Sequence, residues 1–221
     1  ISMLGAVVML GAFILWEQRS PNAMLPLYLF RNPSFSMASI AMTICIFGLA
    51  GLSFSIPLFL QGVQGYTPLG TGLVLFPQAV VSVLVSWNSH HIINRFGVRS
   101  TVLVGFISSA LALLLMGLFL QSDTSYAFIL LGLILFYAGI DSALPAATVS
   151  IMGAVPESKA GVGSGMNEMA IHVGGALGVA VLGSIVNRTY LREVAGLSAF
   201  LPAETMEAVH RSIFSAQEVL L

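Results

Sequence analysis

Long apolar runs separated by short polar segments dominate the pattern of this chain. No Asp, Glu, Lys or Arg occurs between Arg31 and Arg95, or between Arg99 and Asp123. Each interval holds enough apolar residues for one or more helices of about 20 residues, the length that crosses the hydrocarbon core of a bilayer. A transmembrane barrel would instead alternate polar and apolar residues along strands of about 10 residues. The pattern therefore predicts an all-α, polytopic membrane helix bundle.

Polar segments divide the chain into one partial and five complete spans. Residues 1–16 are predicted to be a truncated transmembrane helix, and residues 17–34 a polar linker that contains several prolines. A bundle over residues 35–187 has its predicted spans at 35–60, 70–93, 100–121, 126–155 and 161–187. In the remaining segment, residues 188–221, apolar residues recur at helical spacing over 202–217, which predicts an amphipathic helix.

Composition supports a membrane location and charge gives an orientation. Hydrophobic residues make up 57% of the 221 residues and charged residues 8%, against about 25% charged in soluble domains. The short loops near Gly65 and Ser122 contain no Lys or Arg. Before residue 188, the loops of the opposite side contain all of them: Arg19, Arg31, Arg95, Arg99 and Lys159. The positive-inside rule makes that side cytoplasmic, so segment 188–221 is predicted to be extracytoplasmic.

Glu168 is the most informative residue, because it lies within a glycine-rich apolar stretch that has no other charge. An acid at membrane depth costs roughly 3 kcal/mol to insert, and it commonly marks an ion, proton or substrate path. His172 is one turn further along, on the same ridge of the helix. A carboxylate beside an imidazole can exchange a proton as substrate arrives or leaves. The alternative is interhelical glue, in which the two groups only hold a neighbouring helix.

Asp141 is placed in the same way in the preceding apolar stretch, near the middle of its span. Pro145, one turn on, removes a backbone donor and frees a carbonyl, which predicts a kink or an unwound, ion-coordinating segment there. The alternative is an aspartate that bonds to the freed backbone with no further role. Glu168, His172 and Asp141 together are the candidates for substrate binding and proton coupling.

Two glycine pairs have the GxxxG spacing that lets a neighbouring membrane helix approach closely. They are Gly161 with Gly165, and Gly174 with Gly178. The segment from Asn94 to Arg99 is predicted to be a short basic turn between two spans, and its ordinary role is to fix topology. These features concern packing and orientation rather than chemistry.

No feature of the sequence indicates an enzyme or a cofactor. It has no nucleophile elbow, phosphate-binding loop, zinc signature or paired-aspartate motif, and two carboxylates with one histidine on two helices are too few for a metal site. Cys45 is the only cysteine, so no internal disulfide can form. Nothing in the polar segments indicates a nucleic-acid site.

Several segments resemble the C-terminal part of the 14-helix drug:proton antiporters of the major facilitator superfamily. They are LYLFRNPSF, FLQGVQGYTPLGTGLVLFPQ, NRFGVRS and IMGAVPESKAGVGSGMNEMAIHVGGALGVAVLGS, and the last is the most specific. The resemblance implies the C-terminal half of that fold, without its final helix and without the N-terminal half that would complete the transporter. It implies a multi-pass protein of the bacterial cytoplasmic membrane, in contact with membrane lipids.

Within that family the pattern is most similar to exporters of quaternary ammonium compounds and other lipophilic cations. The resemblance implies that Glu168 binds the cation or carries the coupling proton, and that Arg95, Gly97 and Arg99 belong to a cytoplasmic gating loop. His172 departs from the acidic or amide side chains of other members, and Asn94 from the usual aspartate. Asp141 stands where a glycine is expected, so its role rests on the physical argument alone.

Three functional hypotheses follow. The favoured one is secondary-active efflux of lipophilic cationic drugs in exchange for protons. This chain would be the C-terminal portion of the transporter and is not expected to transport alone. A facilitator of a neutral metabolite is the alternative within transport, since midplane acids disfavour only anionic substrates. A truncated, non-transporting membrane remnant is the alternative from another class.

Overall fold

A computed structural model describes residues 27–121 and 123–197. It also describes isolated positions between residues 5 and 16, and these positions are all helical. Within these residues the chain is all-α. It forms five long helices: α1 (Pro33–Gly62), α2 (Pro68–Phe96), α3 (Val98–Phe119), α4 (Tyr126–Gly153) and α5 (Ala160–Leu197). Each helix is long and apolar enough to span a membrane, α5 over Ala160–Thr189. The predicted fold class is confirmed, and the chain is an integral, multi-pass membrane protein.

Two helix ends differ from the sequence-based bounds. The basic segment around Arg95 is not a six-residue turn, because α2 continues through Phe96 and α3 begins at Val98. Asn94 and Arg95 lie in the last turn of α2 and Arg99 in the first turn of α3, so Gly97 alone joins the two helices. Helix α5 continues to Leu197, beyond the predicted end at residue 187. The amphipathic helix predicted at 202–217 lies outside the described residues.

Capping residues explain where α1 and α2 begin. The side chain of Asn32 accepts a hydrogen bond from the backbone N–H of Ser34 at 3.0 Å, and Pro33 follows as the first helical residue. Thr67 accepts in the same way from Gly70 at 3.1 Å, ahead of Pro68. Both starts combine a capping side chain with a proline whose missing N–H costs the helix nothing.

Short connections make successive helices antiparallel, which places the basic residues together. The links after α1 and α3 lie at one end of the bundle, and those after α2 and α4 at the other. The second end carries the described basic residues that precede α5: Arg31, Arg95, Arg99 and Lys159. This is the end that the positive-inside rule predicts to be cytoplasmic.

Helix α4 is the centre of the bundle and packs against each of the other four helices. Its buried residues contribute to three apolar clusters along its length: Ile151 near the basic end, Phe136 and Ile140 in the middle, and Ile129 with Leu133 at the far end. Phe136, Ile129 and Leu133 have at most 1% of their surface exposed. The position of α4 therefore decides which surfaces the other helices present to one another.

Glycines permit two close helix crossings in the described bundle. A Cβ added to Gly174 of α5 would lie 2.5 Å from the carbonyl oxygen of Thr43 in α1, and one added to Gly178 would overlap the backbone of Phe47. In the second crossing, Gly105 of α3 meets Gly139 of α4, and a Cβ on either would lie 2.5 Å from the carbonyl oxygen of the other. Only a residue without a side chain fits at such a distance.

The other predicted glycine pair has no such neighbour. A Cβ added to Gly161 or Gly165 would meet no atom within 4 Å among the described residues. Both glycines lie on the side of α5 that faces away from α1. The close approach predicted for this pair is therefore not formed with any helix of the described bundle.

We expect the substitution Gly174→Ala to lower the thermal unfolding midpoint of the protein in detergent, because the added methyl group pushes α5 away from α1. Overpacking of this kind costs about 1–3 kcal/mol. Gly117→Ala, inside α3 and without an atom within 4 Å of the added Cβ among the described residues, is the matched control and should leave the midpoint nearly unchanged. Equal destabilisation by both variants would contradict the packing role assigned to Gly174.

Candidate functional site

Glu168 and His172 lie side by side on α5, with 3.9 Å between Oε2 of the glutamate and Nε2 of the histidine. Their side chains are 63% and 82% exposed in the described bundle. Glu168 is about 12 Å from the start of α5 at a rise of about 1.5 Å per residue. The structure thus brings the two predicted residues together at membrane depth.

This pair occupies the face of α5 opposite the one that packs on α1. The packed face contains the buried residues Gly163, Met166, Ala170, Gly174 and Gly178. At about 100° per residue, Glu168 and His172 point in nearly the opposite direction. The pair is therefore open rather than sealed in a helix contact, and interhelical bonding within the described bundle does not account for it.

The chemistry available at this face is that of a weak acid beside a weak base. A protonated His172 would form an ion pair with Glu168, while a neutral one leaves the carboxylate to attract another cation. Carboxylates deep in a membrane face protein or a water-filled cavity, because contact with lipid is costly. The pair is suited to bind a positive group and to exchange a proton.

Asp141 is half-buried in the middle of α4. Its atom Oδ2 is buried and has no hydrogen-bond partner among the described residues, and Ser82 of α2 lies nearby. Helix α4 continues without interruption through Pro145. The unwound segment that the sequence allowed at this proline is not formed, although the proline still leaves the backbone carbonyl of Asp141 without its usual helical donor.

Gln78 and Ser82 of α2 were missed by the sequence analysis. Gln78 is only 8% exposed, and its Nε2 donates a hydrogen bond to the Oγ of Ser82 at 3.2 Å. The available signal was two polar residues four apart, and therefore on one face, in an otherwise apolar run. Isolated Gln and Ser residues are common in membrane helices, so the signal has meaning only once Asp141 is seen beside them.

Further polar contacts connect α4 to its neighbours. The hydroxyl groups of Ser53 in α1 and Tyr137 in α4 are 3.1 Å apart. Thr148 of α4 donates to the side-chain oxygen of Asn167 in α5 at 3.1 Å. Tyr137, Asp141 and Thr148 are separated by one and two turns along α4. They lie next to polar residues of α1, α2 and α5, respectively.

The predicted gating loop is a joint between two helices. Gly97 has φ 80° and ψ 156°, a conformation essentially restricted to glycine. Its N–H donates to the carbonyl of Ile93 at 2.8 Å and its carbonyl accepts from the Thr101 hydroxyl at 2.9 Å. Arg95 lies 5.6 Å from the ring centre of Phe96. Both Arg95 and Arg99 are exposed, and neither forms an ion pair within the part of the chain that is described.

The structure does not bring all candidates into one site. Glu168 and His172 lie on the outer face of α5, Asp141 lies between α4 and α2, and Arg95 and Arg99 lie at the basic end. No group of three His, Cys, Asp or Glu residues among the described positions could hold a metal ion. The described helices thus contain two separate intramembrane acids, Asp141 and Glu168, each with a polar side chain nearby.

Comparison with known proteins assigns the family. The model of the Major Facilitator Superfamily matches residues 1–179. This match covers most of the chain and includes Asp141, Glu168 and His172. The chain belongs to the Major Facilitator Superfamily.

Several relatives carry names that refer to drug resistance. The chain is 35% identical over 204 residues to the multidrug resistance protein Stp of Mycobacterium tuberculosis, covering 92% of this chain and 36% of the relative. It is 32% identical over 186 residues to the tetracenomycin C resistance and export protein of Streptomyces glaucescens, covering 82% and 34%. It is 30% identical over 193 residues to the multidrug efflux pump LfrA of Mycolicibacterium smegmatis, covering 87% and 38%. The chain thus spans little more than a third of the length of these relatives.

We expect Gly97→Ala to destabilise the joint between α2 and α3, because an L side chain at φ 80° is strained by about 1–3 kcal/mol. The measurement is the thermal unfolding midpoint in detergent, with the exposed neighbour Ser100→Ala as control. An unfolding midpoint as high as that of the control would show that the joint does not require the conformation seen here.

Proposed function

We propose that this chain is part of a secondary-active efflux transporter that exchanges protons for lipophilic cationic drugs such as quaternary ammonium compounds. The membership in the Major Facilitator Superfamily supports transport as the general function. The names of the relatives, which include a multidrug efflux pump and an antibiotic export protein, support efflux as its direction. We place the protein in the plasma membrane of a bacterium, with the N-terminal half of the same transporter as its partner.

The observation that carries this proposal is the open Glu168–His172 face of α5. A remnant or a purely structural pair would gain nothing from a carboxylate that is 63% exposed at membrane depth. Exposure to lipid would cost roughly 3 kcal/mol. In the complete protein this face is therefore proposed to meet a second helix bundle across a water-filled cavity, as transporter sites between two rocking bundles do.

The charge of this face favours a cation as substrate. In the described spans the intramembrane acids are Glu168 and Asp141, and the Arg side chains lie toward the ends of the helices. A lipophilic cation gains attraction to the carboxylate and burial of its own apolar surface at the same time. Protonation of Glu168, directly or by way of His172, would remove the attraction and release the cation. The inward proton gradient then drives the cycle.

The basic joint and the glycine contacts have supporting roles in this proposal. Arg95 and Arg99, held by the turn at Gly97, are available at the cytoplasmic end to pair with acids of the partner half and so to form a gate. Gly161 and Gly165, which have no neighbour within 4 Å in the described residues, leave room for a helix of that half to approach α5. Gly174 and Gly178 instead hold α5 on α1.

We expect Glu168→Gln in the complete protein to reduce export of a fluorescent lipophilic cation from loaded cells by about tenfold or more, because the neutral amide no longer attracts the cation or carries a proton. The initial rate of efflux after energising the cells is the measurement, with protein amounts in the membrane matched between variants. His172→Gln should reduce the rate less, because it leaves the acid in place.

Glu157→Gln is the matched control, since it makes the same change at an exposed turn between α4 and α5. It should export at the rate of the unmodified protein. Unchanged export by Glu168→Gln would remove this residue from the mechanism. Export of neutral and cationic dyes at equal rates by the unmodified protein would instead favour a transporter of neutral substrates.

A further inference from the structure

Thr148 of α4 and Asn167 of α5 form a hydrogen bond between two membrane helices. The Thr148 hydroxyl donates to Oδ1 of Asn167 at 3.1 Å, and both residues are half-buried. The hydroxyls of three other helical threonines donate instead to a carbonyl one turn earlier in their own helix: Thr43, Thr71 and Thr101. The hydroxyl of Thr148 therefore joins α4 to α5 rather than bonding within its own helix.

This bond lies at the level of Glu168, which directly follows Asn167 in the chain. The close glycine contacts of α5 are further away along the helix. A Cβ added to Gly163, five residues before Glu168, would lie 3.1 Å from Sδ of Met152 in α4. The contact of Gly174 with α1 is six residues beyond Glu168. At a rise of about 1.5 Å per residue, these two contacts are about 7.5 Å and about 9 Å from the acid along the axis of α5.

The other contacts near Glu168 do not fix the rotation of α5 about its own axis. Met166 and Ala170 pack in an apolar cluster with residues of α1 and α4, but apolar attraction is non-directional and a methionine adapts to small shifts. His172 is on the same helix as Glu168, so it turns with the acid and cannot restrain it. A hydrogen bond, in contrast, weakens steeply when its atoms lose alignment. The bond from α4 to α5 is therefore the directional contact that restrains α5 at this level.

A small rotation of α5 would displace the carboxyl group of Glu168 substantially. Asn167 and Glu168 are about 100° apart around the helix, so the amide can be held against α4 while the acid remains on the open face. A rotation of 20° moves a group that is about 5–6 Å from the helix axis by about 2 Å. A misplacement of about 1 Å is enough to impair a site that relies on positioned groups. The direction of Glu168 thus depends on the bond that its neighbour makes.

We propose that Thr148 and Asn167 are positioning residues, which fix the rotation of α5 and so aim Glu168 at the bound cation. Neither residue contacts the cation, and both act through the carboxyl group. This inference rests on the proposed efflux function. Within that function, it makes the affinity of the site for its cation depend on a hydrogen bond between α4 and α5 that lies outside the open face itself.

The test compares four variants with the unmodified complete protein: Thr148→Val, Thr148→Ser, Asn167→Ala and Ser108→Ala. Valine keeps the shape of threonine without the hydroxyl, whereas serine keeps the hydroxyl and should preserve the bond. Asn167→Ala breaks the same bond from the other helix. Ser108→Ala is the matched control, because Ser108 also donates between two helices, to the carbonyl of Leu135 at 3.0 Å, and α5 is not involved.

The first measurement needs no substrate. Spin labels at Ser164, which is exposed on α5, and at Ser100, which is exposed in the first turn of α3, report the orientation of α5 as a distribution of distances. The labels are attached to cysteines in a form whose other cysteines have been replaced. We expect Thr148→Val and Asn167→Ala to broaden or shift the distribution, and Thr148→Ser and Ser108→Ala to leave it unchanged. The same distribution in all forms would overturn the inference.

The second measurement is the dependence of export on cation concentration in vesicles. We expect Thr148→Val to raise the KM for the cation by about 3- to 10-fold, as the loss of one hydrogen bond does, with kcat nearly unchanged. Thr148→Ser should restore the KM of the unmodified protein, and Ser108→Ala should match it. An unchanged KM in Thr148→Val, or an equal rise in Ser108→Ala, would overturn the inference. If the unmodified protein exports no cation, the proposed function fails instead, and the distance distributions still decide whether the bond restrains α5.

Discussion

The lack of water in the hydrocarbon core is the constraint on which this structure depends, because each polar group there must find its partner within the protein. Helices satisfy the backbone, and hydroxyl side chains bond back to carbonyls one turn earlier, as Thr43 does to Ser39 at 2.9 Å and Ser109 does to Gly105 at 2.8 Å. Glycines then let such helices pack backbone to backbone. The resulting bundle has few polar groups left over, so those that remain are informative.

Two buried side-chain atoms of the described chain break this rule: the hydroxyl of Ser39 and Oδ2 of Asp141. A hydroxyl without a partner is a modest cost, whereas a carboxylate oxygen without one is a large cost unless the group is neutral. Glu168 departs from the rule differently, since it is exposed on a face that no described helix covers. The polar groups that are most costly to place in this bundle are therefore the carboxyl groups of Asp141 and Glu168.

Hydropathy was sufficient to predict the fold, because the five spans differ from their loops in an average property that needs no tertiary information. Local sequence was also sufficient to bring Glu168 and His172 together, since their spacing on one helix fixes their separation. It was insufficient at Gly97, where the polar letters of NRFGVRS suggested a loop but the helical backbone continues on both sides of one glycine.

Contacts between helices were the part that sequence could not supply. Gly161 and Gly165 have the same spacing as Gly174 and Gly178, yet only the second pair faces α1, because the orientation of α5 about its axis is set by the whole bundle. The crossing of Gly105 with Gly139 escaped notice because its two glycines are on different helices. The proximity of Ser82 on α2 to Asp141 on α4 is of the same kind.

The two intramembrane acids of the described helices lie in different environments. Glu168 is reachable, because it lies on an open face with an imidazole 3.9 Å away, and this is the feature on which the proposed binding of a cation rests. Asp141, between α2 and α4, is instead half-buried and has one enclosed carboxyl oxygen without a partner among the described residues. Titratable groups whose environments differ in this way take different roles.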